Sequence, residues 1–415
     1  MTEVLARKEW RAWLPFALAV VALLFVVTWG LVSPDTLALH SAPSQWPLPT
    51  LWPIPEQLSS PEVGVNVHMW WDPWAAVARD WSLVQEAGFA WVKQRVAWLD
   101  VEGAAPGVYE WYALDRIVDE AEQADVRLLL RIDHPPAWAL QAADIESPDL
   151  PVNPETLAGF CSEVAQRYKG RVDAYQIWNE PNLAREWRGA APDPVGYVEL
   201  LRACYVAIKT EDPGAMIVSA SLAPTGSSLP EALPDVEYLI GMYEAGASPY
   251  FDLLGLNAPG YLAPPEVSPE EAADPANGYG GHAFFCFRHV EEMREIMVTY
   301  GDEHKQVAIL EFGWHTNASP EHPDYAWFAV TPETQADYLI RAFNYAAENW
   351  APWIGPMFVW NLPDPRWTEA NEEFWWAIAD PYWWGKDVPS SQWPGAGVRP
   401  AFHALKALSL PAPSP

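Results

Sequence analysis

Two apolar stretches of this chain each end on a glutamate. In Asp173-Ala-Tyr-Gln-Ile-Trp-Asn-Glu-Pro-Asn182 the chain delivers Asn179 and Glu180 to a proline-terminated edge, and in Gln306-Val-Ala-Ile-Leu-Glu-Phe-Gly-Trp314 it delivers Glu311 in the same manner. A strand that stops on such a residue presents its carboxyl group at the rim of a sheet, where a ligand can meet it. Two carboxyl groups brought face to face can divide the work of breaking a bond, one protonated and donating, the other ionised and attacking.

The interval tells which elements must position them. From 180 to 311 is 131 residues, or about 44 per step if three strand-helix units separate the two glutamates. A βαβ unit needs roughly 30 residues or more, so the spacing predicts strands four and seven of an eight-fold barrel. All parallel strands of such a barrel end at one face, where active sites are built.

The remaining periodicity supplies the other strands. Strands are expected at 63–68, 90–98, 126–133, 216–221, 251–257 and 355–361, with helices near 75–86, 114–124, 154–168, 195–209, 289–300 and 334–349 and a closing helix near 400–407. Regular alternation of this kind implies α/β class and a parallel sheet, a (β/α)8 TIM barrel over residues 61–410.

Both glutamate motifs resemble the retaining glycoside hydrolases of clan A, particularly families 5 and 39, across roughly residues 62 to 408. The resemblance implies that Glu180 is the acid/base, that Asn179 bonds the sugar 2-hydroxyl, and that Glu311 is the nucleophile. It further implies that Arg95 lies beneath the nucleophile, that Tyr261 hydrogen-bonds it, and that Trp360 floors the subsite of the cleaved sugar. Asn257-Ala-Pro-Gly-Tyr261 departs from the family pattern, because the histidine usually paired with that tyrosine is missing.

Rim residues extend this set. His134 follows strand three and His68 ends strand one, both as hydrogen-bonding candidates, while His315 and Asn361 are weaker ones. Trp70 and Trp71 are stacking candidates beside His68. Two long connections, 259–284 and 363–396, overhang the same face, and the second carries Trp367, Trp375, Trp376, Trp383, Trp384 and Trp393. Indole faces stack on pyranose rings, so Trp376 and Trp384 are expected to line a sugar cleft.

Composition narrows the partners. With 24 basic against 55 acidic residues the net charge is −31, which repels a phosphate backbone and argues against nucleic acid. A carbohydrate substrate fits the 26 tryptophans. Nine histidines without metal-ligand spacing give no reason to invoke a metal, and no cofactor motif is present. The cysteines, Cys161, Cys204 and Cys286, are odd in number. Cys161 and Cys204 fall on successive predicted helices and could pair, yet buried free thiols are the favoured reading.

The N-terminus adds a location. Residues 12–32 carry no charge over 21 positions and follow Arg7, Lys8 and Arg11. That length spans about 32 Å as a helix, enough to cross a bilayer core, and the positive-inside rule puts residues 1–11 in the cytoplasm. A Pro-rich linker, 33–60, would then lead to an extracytoplasmic domain held to the membrane by one transmembrane signal anchor. The alternative is secretion after cleavage of the segment as a signal peptide. The expected function is hydrolysis of a β-glycosidic bond by two glutamates. A catalytically silent glycan-binding barrel, an accessory subunit of a membrane complex, and transglycosylation are the competing readings, and no protein partner is indicated.

Overall fold

The computed structural model describes residues 52, 56–70, 74–140, 152–317, 323–381 and 397–410. The 12–32 segment, most of the linker, and Trp71, Trp383, Trp384 and Trp393 lie outside them. Eight strands follow in order: β1 (Glu62–Val67), β2 (Trp91–Ala97), β3 (Arg127–Asp133), β4 (Ala174–Ile177), β5 (Met216–Val218), β6 (Leu253–Pro259), β7 (Gln306–Gly313) and β8 (Ile354–Val359). Each pairs in parallel with the next, and β1 pairs with β8 to close the barrel. The eightfold alternation read from the sequence is therefore present, with β4 and β5 each ending earlier than expected.

Helices form the outer wall where the sequence places caps. Pro154–Arg167, Pro194–Glu211 and Pro332–Asn349 all start with proline behind a residue, Asn153, Asp193 or Thr331, whose side chain accepts from a backbone N–H of the first turn. Proline at the first helical position wastes no donor, and the cap satisfies one that would be orphaned. The closing helix Pro400–Lys406 packs on Pro332–Asn349 and on Trp74–Ala87. No helix among the described residues is long and apolar enough to cross a membrane.

Inside the barrel the side chains of Trp91, Leu129, Ala174, Met216, Val218, Leu253, Ala308, Leu310 and Phe358 form one buried layer. Gly64 makes room for it, since a Cβ there would sit 2.7 Å from the Phe358 ring. The end of the linker straps the base. Leu58 exchanges two hydrogen bonds with the Gln306 side chain at the start of β7, at 2.8 and 3.0 Å.

The cysteine reading needs correction. Cys161 and Cys204 form a disulfide joining Pro154–Arg167 to Pro194–Glu211, and Cys286 is the buried free thiol. These helices flank β4 in successive units of the barrel, so they are wall neighbours, and the Cα atoms stand 5.6 Å apart, well within bridging range.

Candidate active site

The path to Glu311 begins with a bulge. Along the β6–β7 ladder Leu256 faces Ile309, and the next residue, Asn257, faces Glu311. Leu310 is skipped. Side chains alternate along a strand, so without the extra residue Leu310 and Glu311 would point to opposite faces; the bulge lets Leu310 fill the core layer while Glu311 enters the cleft above it. Bulges at barrel rims commonly re-aim a side chain in this way. The Leu310 carbonyl accepts from Asn66 Nδ2 at 2.9 Å and from Lys93 Nζ at 3.2 Å.

That second bond brings Lys93 to the carboxylate. Lys93 Nζ lies 3.0 Å, and Arg131 Nη1 3.2 Å, from Glu311 Oε1. No partner among the described residues reaches Oε2. Burial lowers Lys93 from its usual range to about 8, with the Glu311 charge opposing the fall. Arg131 also donates to Asn179 Oδ1 at 2.9 Å and pairs with Asp133 at 2.8 Å. Asn179, Arg131 and Glu311 are thereby linked in one chain across three strand ends.

Glu180 is held by different groups. Asn257 Nδ2 donates to its Oε1 at 3.0 Å, and the exposed Arg185 pairs with its Oε2. Glu186 lies nearby, its carboxyl raised to about 7 by burial and then by the charge on Glu180. Asn182 of the same motif has a structural task, bonding Ala223 and Leu233 through its amide. It anchors the loop that carries Glu180.

The backbone is strained here. Of six non-glycine residues with positive φ among the described residues, His134 (51°), Glu180 (37°) and Tyr261 (51°) line the cleft. Such conformations cost of order 1 kcal/mol or more each and gather at functional sites, where the surrounding structure enforces them.

The cleft encloses about 880 Å³, the upper part of the usual range for ligand pockets. Glu180, Glu311, Asn179, Tyr261, Trp360, His134, His68, Arg95 and Trp376 all line it. Trp384 lies outside the described residues. His68 is pushed down to about 3 by burial, so it is neutral at ordinary pH, and its ring meets Trp360 and Trp367 at centroid distances of 5.6 and 4.5 Å. His134 is raised instead by a hydrogen bond from its Nδ1 to Asp133, at 2.9 Å. Trp376 donates to Glu372 at 2.6 Å and lines the cleft while only 8% exposed.

Several expectations are corrected. Arg95 does not hold Glu311; Lys93, one turn of the pleat deeper in β2, does so with Arg131 of β3. Tyr261 does not hydrogen-bond Glu311. Its ring is wedged against Phe285 and Phe328 at 4.6 and 5.4 Å, and burial followed by the charges of Asp235 and Glu180 raises its hydroxyl. His315 sits behind the cleft wall among Tyr325, Phe328 and Trp376. Asn361 is fully buried and does not line the cleft. Sequence reasoning passed over Lys93, Arg131, Asn257, Arg185 and Glu186. For the first two a signal existed: Trp91, Lys93 and Arg95 share one face of β2, and Leu129, Arg131 and Asp133 one face of β3.

No family model and no curated protein matches the chain by sequence. Solved structures do resemble it. A family 39 glycoside hydrolase from the gut symbiont Bacteroides cellulosilyticus superposes with a TM-score of 0.58 at 18% identity, covering 84% of this chain and 63% of that one. A GH5_18 protein from Streptomyces cattleya, in complex with GlcNAc, gives 0.58 at 15%, covering 86% and 83%. A GH10 endoxylanase from a sugarcane soil metagenome gives 0.53 at 13%, covering 84% and 97%. The chain thus spans less than two thirds of the length of the family 39 enzyme. By fold, this protein is a (β/α)8 barrel like those of the clan A glycoside hydrolases of families 39, 5 and 10.

Proposed function

We propose that this protein is a retaining glycoside hydrolase that cleaves a β-glycosidic bond with Glu311 as nucleophile and Glu180 as acid/base. The observation that carries the proposal is the asymmetry of the two carboxylates in one cleft. Glu311 has both cations on Oε1 and leaves Oε2 for attack, whereas Glu180 is bound by an amide and an exposed arginine that an incoming sugar can displace.

The steps follow from those contacts. Glu311 Oε2 attacks the anomeric carbon while Glu180 passes its proton to the departing glycosidic oxygen, so the C–O bond breaks and a glycosyl ester forms. Glu180, now ionised, takes a proton from water, whose oxygen attacks the anomeric carbon and releases Glu311. In this reading Asn179, which accepts from Arg131 at 2.9 Å, bonds the 2-hydroxyl. Trp360, Trp367 and Trp376 provide flat apolar faces for sugar rings.

In this reading the barrel works outside the cytoplasm, held by residues 12–32 as a signal anchor. A buried disulfide suits an oxidising compartment. The deciding experiment is a screen of chromogenic β-glycosides and polysaccharides with the full chain, following product anomeric configuration. Retained configuration that disappears in Glu311→Ala is expected; turnover that survives both Glu311→Ala and Glu180→Ala would refute the assignment. Membrane fractions washed in carbonate should keep the full-length protein, and recovery of a soluble form starting near residue 31 would favour cleavage.

A further inference from the structure

Among the described residues five lysine and arginine side chains line the cleft: Lys93, Arg95, Arg131, Arg185 and Arg366. Four have carboxylate partners. Lys93 and Arg131 share Glu311, Arg185 pairs with Glu180, and Arg366 grips Asp364 through two hydrogen bonds at 2.9 and 2.6 Å. Among the described residues Arg95 alone of the five forms no ion pair within 4.0 Å. It is half-buried at the upper end of β2, one side-chain alternation above the lysine that took over the nucleophile.

A guanidinium remains ionised under all ordinary conditions. A partly desolvated charge with no carboxylate in direct contact is only partly compensated by Asp100 and Asp133, and an anion that docks against it recovers more of the desolvation cost. The planar fork fits a carboxylate best, in two parallel hydrogen bonds. The cleft that Arg95 lines also holds His68, Trp70, His134 and Trp360, which offer a neutral imidazole, a further donor and indole rings for a pyranose. The same guanidinium acts electrostatically on His68, Asp133, His134 and Asp100, which places it among the ends of β1 and β3 and the turn after β2.

We propose that Arg95 marks a subsite for a uronosyl residue, its guanidinium receiving the sugar carboxylate beside the subsite of the cleaved bond. The proposal rests on the glycosidase reading and deepens it by naming a substrate class. The net charge of −31 bears on which uronosyl glycan fits. Long-range repulsion disfavours a polyanion, but a single carboxylate in contact with Arg95 lies well inside the Debye length of about 8 Å at physiological salt and keeps its local attraction. Asp100, half-buried near the same guanidinium, repels any anion there, so the attraction of Arg95 in direct contact can outweigh it for one carboxylate while a second has no such contact to offset it. The substrate is therefore a largely neutral glycan carrying isolated uronosyl units.

The test uses the full chain carrying Glu311→Gln, so that bound glycans are not consumed, on an array of neutral, uronosyl-bearing, sulfated and polyuronic glycans. Uronosyl-bearing glycans should give the strongest binding, and free glucuronate should compete where glucose does not. Adding Arg95→Gln should lower the ratio of uronosyl to neutral binding about tenfold or more, the size expected for losing a charge-assisted pair, while Arg95→Lys should retain part of it. A ratio within about twofold of the parent, a preference for neutral, sulfated or polyuronic glycans, or no binding to any glycan would overturn the subsite. If Arg95→Gln does not fold, the competition and Arg95→Lys decide the matter. Hydrolysis of neutral glycosides by the protein with Glu311 intact would leave the glycosidase reading standing whatever the fate of Arg95.

Discussion

Lys93 reaches Glu311 at 3.0 Å, and it does so through Oε1, the same oxygen that Arg131 contacts. Two cations on one oxygen restrain the carboxylate and leave Oε2 without a partner among the described residues. Loss of Lys93 should then cost orientation more than charge. Lys93→Met is expected to lower kcat by about 10- to 100-fold, the range of one charge-assisted hydrogen bond, and steady-state kinetics on any active glycoside will show it.

The same substitution should not cost stability. Burial lowers Lys93 in the folded state to about 8 from a solution value of 10.5, so the unfolded chain binds the proton more tightly. The resulting penalty is fully present below pH 8 and disappears as pH rises toward 10.5. Lys93→Met should therefore melt at the same temperature as the parent or higher at pH 7, while being less active. A large drop in melting temperature would mean that the pair is chiefly structural.

The two glutamates should respond differently to replacement. Glu311→Ala is expected to abolish turnover, because no glycosyl ester can form, and azide should restore some activity with inverted product. Glu180→Ala should lose about 100- to 10,000-fold on substrates with poor leaving groups, spare activated aryl glycosides, and respond to azide with retained product. Product analysis by NMR separates the two.

His289 predicts a pH dependence of stability away from the cleft. Burial opposes its charge, but Asp235 at 2.7 Å and Glu292 at 3.2 Å override burial and raise it to about 9. Its folded value exceeds the unfolded 6.5, so its stabilisation is complete below pH 6.5 and is lost as pH climbs through 9. Between pH 6.5 and 8 His289 should account for a loss of roughly 1.5 kcal/mol, to which Glu186 adds as it ionises near 7. Denaturant titrations at those two values will measure the loss, and His289→Gln should reduce it by the His289 share, leaving the part due to Glu186.

The disulfide gives a chemical count. Thiol titration of the denatured, unreduced protein should find one reactive cysteine, Cys286. Reduction, or Cys161→Ser, should cost roughly 2–4 kcal/mol, since the bridge closes a separation of 43 residues. Three reactive thiols would contradict the pairing.

The parts legible from sequence were those that announce themselves locally. Asn179-Glu180 and Glu311 each end an apolar run, and three of the wall helices carry cap and proline together. The cations beneath Glu311 were hidden because Arg95, nearest the strand end, drew the assignment, although alternation from the core residue Trp91 points equally at Lys93. The disulfide was legible in principle, since helices of successive barrel units touch. The Asn257 contact depends on register between β6 and β7, which no single-strand pattern reveals.

The skipped residue at Leu310 sets the parity of β7. Because side-chain direction repeats every two positions, an odd insertion decides whether the carboxylate belongs to the barrel mouth or to its hydrophobic interior. A barrel of this kind could therefore lose its chemistry with every site residue unchanged, through deletion of one leucine. Sequence comparison at Glu311 would see nothing missing. Whether such a chain is an enzyme is written in the count of residues between Gln306 and Glu311 as much as in the glutamate itself.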